Sequence, residues 1–188
     1  MEALINSLHQ IVNDCTHCDL KHLPYSLQSY HYQSGAKLVM IIGEAPGEEE
    51  TLTLQPFTGQ SGMLLREWLP LLGINNYVIT NMVKHRPPNN ATPTKKQIQA
   101  CAPFLNMEIA VLQPQIYLLL GHTASTLLNL PSTITMKQMV QQTLMHPYQL
   151  NGVPALVMYH PSYFLRMGKR TNDILPLLKL MRKVILLQ

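Results

Sequence analysis

The chain has 188 residues, of which 46% are hydrophobic and only 13% charged, enough apolar material for one domain with a full core and too little charge for a disordered chain. A formal net charge of +4 and a pI near 9.0 permit a nucleic-acid partner. No apolar run reaches the ~18–20 residues that cross a bilayer, and the first residues lack the basic region of a signal peptide, so a cytoplasmic, nucleoid-associated protein with no membrane contact is expected.

Leu4, Ile5, Leu8, Ile11 and Val12 recur at helical spacing and predict a helix over 2–14. Cys15-Thr-His-Cys18 follows. With Cys101 the cysteines number three and cannot all pair. In a reducing compartment a Cys-x-x-Cys points to metal binding or redox activity before a structural disulfide. Residues 19–35 are polar and without period, an irregular segment around that metal candidate.

Leu38-Val-Met-Ile-Ile-Gly43 is an apolar run stopped by Gly43, Pro46 and Gly47, as an internal parallel strand would be. The turn after it carries Glu44, Glu48, Glu49 and Glu50. Ligands of open α/β sheets sit outside the carboxyl ends of strands, so this turn is expected to form the floor of an active site. Gln55-Pro-Phe-Thr-Gly-Gln-Ser-Gly62 is a second loop presenting one exposed aromatic, Phe57. Ser61 is the expected cap of a helix whose apolar face is Leu64, Leu65, Trp68, Leu69 and Leu72 and which Gly73 ends.

Tyr77-Val-Ile-Thr-Asn81 predicts a second strand, with Asn81 at its carboxyl end. Lys84-His-Arg-Pro-Pro-Asn-Asn90 is a basic loop that its prolines keep from being helical. Thr94 caps a helix over 95–112, expected to kink or break at Pro103. A third strand over 115–121 runs into a helix opened by His122, and a short helix is expected over 136–141. A fourth strand over 154–159 leads into His160-Pro-Ser-Tyr-Phe-Leu-Arg166, and residues 172–187 form a last amphipathic helix. Strands alternating with helices predict one α/β domain over 1–188, a three-layer α/β/α sandwich with a central four-stranded, mainly parallel sheet. A monomer is expected.

Four ordered stretches carry a resemblance. Gly43-Glu-Ala-Pro-Gly-Glu-Glu-Glu50, Pro56-Phe-Thr-Gly-Gln-Ser-Gly62, Thr80-Asn-Met-Val-Lys-His-Arg-Pro-Pro88 and His160-Pro-Ser-Tyr-Phe-Leu-Arg166 resemble the motifs of family 4 uracil-DNA glycosylases, the iron–sulfur branch of that superfamily. The resemblance spans Cys15 to about Arg166. It implies hydrolysis of the N-glycosidic bond of uracil in single- and double-stranded DNA. That chemistry needs an extruded nucleotide, an identified base, a stabilised leaving anion and a placed water.

By the resemblance, Asn81 reads the uracil edge and Phe57 stacks on the base. Amides around Ala45 and Gly47 hold a base oxygen, a use that suits an open backbone. His160 stabilises the departing anion. Related families place an Asp or Asn where this chain has Ala45, so the water-handling carboxylate comes from elsewhere: Glu50 resembles it, and Glu44 competes. Thr51 and Leu54, which flank Glu50, depart from the family's usual acid and glycine. Tyr163, Phe164, Leu165 and Arg166 resemble the loop that wedges into the duplex, and Lys84, Arg86, Lys169 and Arg170 are candidates for gripping the phosphates.

The family holds a [4Fe–4S] cluster on four cysteines. This chain matches Cys15, Cys18 and Cys101 but has His85 in the remaining position. Imidazole replaces thiolate at iron in Rieske centres, while three cysteines and a histidine are also an ordinary zinc set. A superfamily branch that cross-links covalently to DNA also carries Lys-His near here, but its basic insertion is missing from this chain. A nucleic-acid-binding module with little hydrolysis and a covalent cross-linker are the rivals to the glycosylase.

Overall fold

The structure is a computed structural model that describes residues 10–31, 33 and 35–188. The helix expected over 2–14 falls mostly outside the described residues; residues 10–13 are helical.

Among the described residues six strands form one sheet: β1 (Ser29–His31), β2 (Val39–Gly43), β3 (Tyr77–Asn81), β4 (Ile116–Leu120), β5 (Tyr148–Leu150) and β6 (Val153–Met158). Their order is β1-β3-β2-β4-β6-β5. The inner four pair in parallel and are the four strands expected. The correction lies at the edges, where β1 and β5 add antiparallel to β3 and β6. Each is three residues long and incompletely buried, too short for a period-two pattern to register.

The inner strands read as unbroken apolar runs because both faces are covered. Ile41, Ile79, Leu118 and Leu156 point into one core, packed under α2 (Gln60–Leu72) and α7 (Thr171–Leu186). Met40, Ile42, Val78 and Val157 point into the other, under α3 (Lys95–Leu112) and α5 (Met136–Met145). This gives the three layers. The remaining helices are short: α1 (Glu48–Thr53), α4 (Gly121–Ser125) and α6 (Pro161–Arg166). Among the described residues no helix is long and apolar enough to cross a membrane.

Local chemistry sets the helix boundaries, not always as the sequence predicts. Thr94 does cap α3, accepting from the Gln97 amide while Gln97 answers the Thr94 amide. Of the kink or break expected at Pro103, the break does not occur, since α3 runs through it. Ser61 is not a cap: Gly59 holds that position and Ser61 lies inside α2. Within the irregular segment, residues 24–26 are pinned by their backbone. Ser26 donates to the Lys84 carbonyl (3.0 Å) and Arg86 to that of Pro24 (2.8 Å), and Tyr25 bridges to His85.

Candidate active site

The carboxyl ends of β2, β3, β4 and β6 open into a cleft of about 700 Å3. It is lined by Glu44, Ala45, Gly47, Glu50, Phe57, Asn81, His160, Tyr163, Leu165 and Arg166 among others. The four motifs therefore meet in one place, outside the carboxyl ends of parallel strands as the fold requires.

Asn81 ends β3 and is only 3% exposed, with its side-chain Oδ1 buried and lacking any partner. Buried polar atoms are almost always bonded, so an acceptor held empty at a cleft marks a place for a donor. Phe57 stands beside it. A methyl placed on Gly43 would lie 2.5 Å from Asn81 Oδ1 and 2.6 Å from the Phe57 ring, so the glycine that ends β2 lets the two approach. Phe57 is not exposed, as its loop suggests, but 5% exposed. It is held by a left-handed backbone (φ 57°), with its ring 5.4 Å from that of His160.

His160 caps α6. Its Nδ1 accepts from the Ser162 amide at 3.2 Å, and the Ser162 hydroxyl lies 2.8 Å from the same nitrogen while accepting from Arg166 Nη1 at 3.1 Å. Burial, with the Arg166 charge adding to it, pushes the imidazole down to about 4. The ring is neutral at pH 7 with Nδ1 as acceptor, so the proton sits on Nε2 and a donor is available without a positive charge. The folded value lies below the unfolded one, near 6.5. The unfolded state therefore takes up the proton first, and this contribution to stability is lost as pH falls from about 6.5 through about 4. In 15N NMR the His160 ring is expected to hold one Nε2–H tautomer from pH 8 to pH 5. A titration near 6.5 would contradict the buried neutral state.

The acidic turn divides its labour. Glu50 joins two loops: Oε2 accepts from the Gly47 amide (3.1 Å) and Oε1 from the Gly59 amide (2.9 Å). The Gly47 amide is thus already engaged by Glu50. Glu44 accepts from the Thr123 hydroxyl at the start of α4. Glu48 and Glu49 are exposed, and Glu48 pairs with Arg86 at 3.4 Å.

Several expected DNA contacts sit elsewhere. Lys84 is 1% exposed and bound to buried Glu108, so it cannot reach a phosphate. Phe164 is 6% exposed and packs edge-on against Trp68, because the helical turn of α6 carries it into the core. Arg86 is tied to Asn90 as well as Glu48. Tyr163 stacks on Tyr159 at 4.8 Å and lines the cleft wall with Leu165 and Arg166, and Tyr163, Arg166, Lys169 and Arg170 are exposed. Thr123, Thr80 and Glu108 escape sequence reasoning. The one available signal is Glu108 itself, an acid at the apolar spacing of Phe104 and Leu105.

The cysteines are all free. Cys15 and Cys101 are buried in one apolar cluster against which Cys18 packs. The Lys84 amide donates to Cys101 Sγ at 3.2 Å. Burial pushes the Cys101 thiol up to about 11 and lowers His85. Among the described residues no three His, Cys, Asp or Glu side chains converge closely enough to hold a metal ion.

A family profile of the uracil DNA glycosylase superfamily matches residues 30–181, and the chain belongs to that superfamily. Within it, the chain is similar to type-4 uracil-DNA glycosylases. It is 35% identical over 168 residues to that of Pyrobaculum aerophilum, covering 86% of this chain and 85% of that protein. It is 35% identical over 176 residues to that of Thermotoga maritima, covering 92% and 88%.

Proposed function

We propose that the chain is a monofunctional uracil-DNA glycosylase of base excision repair, acting on single- and double-stranded DNA and leaving an abasic site. The observation that carries this reading is the buried, unpartnered Asn81 Oδ1 beside Phe57 and a neutral His160 in one cleft. Uracil offers N3–H to such an acceptor, whereas cytosine has a bare ring nitrogen there.

In this reading the extruded base stacks on Phe57, Asn81 meets its edge, and the Ala45 amide joins in holding a base oxygen. The bond from C1′ to N1 breaks with its electron pair going to uracil, whose O2 accepts from His160 Nε2–H as charge develops. Water adds to C1′ and gives its proton to a carboxylate. Glu50 and Glu44 both line the cleft. Glu50 keeps the assignment through its place in the motif, and its two amide donors fix the carboxylate at the cleft. Leu165 supplies the apolar wedge, while Arg166, Lys169 and Arg170 grip phosphates. Each phosphate contact steepens the salt dependence of binding by about 0.9 in log–log slope.

For the cofactor, the reading is a [4Fe–4S] cluster on Cys15, Cys18, Cys101 and His85. The four side chains are not gathered to the spacing of a single bound ion, and a four-iron cluster sets its ligands wider apart than one ion does; support comes from the donor chemistry, three soft sulfurs and one imidazole whose pKa burial lowers, and from the amide donated to Cys101 Sγ. When bound, the cluster would cross-link the segment before β1 to the loop after β3. Broad visible absorbance that bleaches on reduction is expected; a colourless protein with one bound zinc replaces the cluster with the zinc alternative.

One assay tests the activity. A labelled oligonucleotide containing uracil is incubated with protein and run on a denaturing gel with and without alkali. Strand cleavage only after alkali is expected. A heat-stable shifted band would instead identify a covalent cross-linker, and an unchanged strand a binding module.

A further inference from the structure

Beneath the cleft, between β3 and α3, lies a charged pair with both side chains 1% exposed. Lys84 Nζ spends all three of its protons: on Glu108 Oε2 (2.8 Å), on Thr80 Oγ1 (2.6 Å) and on the main-chain oxygen of Asn81 (3.0 Å). Thr80 in turn donates to the same Glu108 oxygen at 2.9 Å. Burying two charges is costly even when they pair, and apolar side chains of similar volume often serve stability as well or better. Stability alone is therefore a poor account of this trio.

Its third contact supplies a better one. The antiparallel edge strand β1 covers β3 only from Tyr77 to Ile79, so its ladder stops two residues short of Asn81. Lys84 Nζ bonds the Asn81 carbonyl that the ladder does not reach. On its β2 side Asn81 is held by pairing with Gly43; on the side that β1 leaves open, the backbone from which the base-reading side chain projects is fixed by an ammonium group, which Glu108 and Thr80 hold in place.

We propose that Lys84, braced by Glu108 and Thr80, is a positioning residue for base recognition: it sets the angle at which the Asn81 amide meets the uracil edge. The proposal rests on the reading of Asn81 as the group that identifies the base. Lys84 touches neither base nor phosphate, and its effect on the reaction passes through Asn81.

A double-mutant cycle tests this. In Lys84→Met/Glu108→Gln both charges go together, the volumes are kept and Thr80 retains a partner. This variant is expected to melt near the wild type and bind uracil-free DNA as well, but to excise uracil about 10²-fold more slowly, the loss typical of a reacting group misplaced by about 1 Å. Asn81→Ala is then expected to cost far less in this background than in the wild type, because groups acting as one unit are not additive. An Asn81→Ala penalty of equal size in both backgrounds overturns the proposal. Should the double variant fail to fold, Thr80→Val, which keeps the strand's shape, is expected to slow excision several-fold with the same non-additivity; additivity there overturns it equally. Asn81→Ala at wild-type rate would sink the base-reading assignment itself, an outcome distinct from additivity.

Discussion

Asn81→Ala is expected to lower kcat/KM for uracil excision by about 10²–10³-fold, the scale of losing one preorganised hydrogen-bonding group at a reacting site, while the melting temperature holds steady or rises slightly. The opposite signs follow from one observation. The Asn81 Oδ1 atom is buried without a partner, and such a group costs about 1–3 kcal/mol of desolvation in the free protein. Ala removes that cost, and the small cavity it leaves works against the gain. In the complex the same acceptor meets a donor on the base, and the desolvation is offset only then. The site is therefore built to favour the bound state at the expense of the empty one. Parallel measurement of melting and of single-turnover excision decides the matter. Loss of activity accompanied by a fall of many degrees in melting temperature would make Asn81 an ordinary structural residue.

The strand-and-loop rhythm was legible because each inner strand is buried on both faces and is therefore mostly apolar, and because each ends in residues that stop a strand. Gly43, Asn81 and His160 could be placed on that rule before any coordinates. What the sequence hid were interactions between distant residues with no local signature. Glu50 reads as one of four acids in a turn, yet its two oxygens accept from amides on either side of it in the chain, at Gly47 and Gly59. Lys84 reads as a surface charge in a basic loop. Its partner lies 24 positions away on α3, and only the packing of α3 against the sheet brings them together. Phe164 sits among polar and exposed residues, and only the phase of the short α6 turns it inward beside Trp68. Residue type and order carried the motifs; direction of side chains needed the fold.

Gly62→Ala is expected to be the most damaging single methyl in the chain. Gly62 lies in the first turn of α2, where alanine would ordinarily favour helix by about 1 kcal/mol. Here an added Cβ would stand 1.7 Å from the Phe57 carbonyl oxygen and 2.0 Å from its carbon. Both are main-chain atoms, so no rotamer change relieves the overlap and either the loop or the helix start has to move. Overpacking in a core costs typically 1–3 kcal/mol, and a rigid backbone neighbour puts this site at the upper end. For a domain of this size, that lowers the melting temperature by roughly 6–12 °C at about 2–4 °C per kcal/mol. Activity should fall further than stability does, because the displaced residue is Phe57, whose ring touches the space above Gly43 shared with Asn81. Gly59→Ala is the matched comparison: the nearest atoms to its added methyl belong to the Glu50 and Glu49 side chains at 3.4–3.5 Å, so melting is expected to stay within a few degrees of wild type. Equal melting of the two variants would show that the loop carrying Phe57 yields freely, and that α2 does not fix the stacking ring in place.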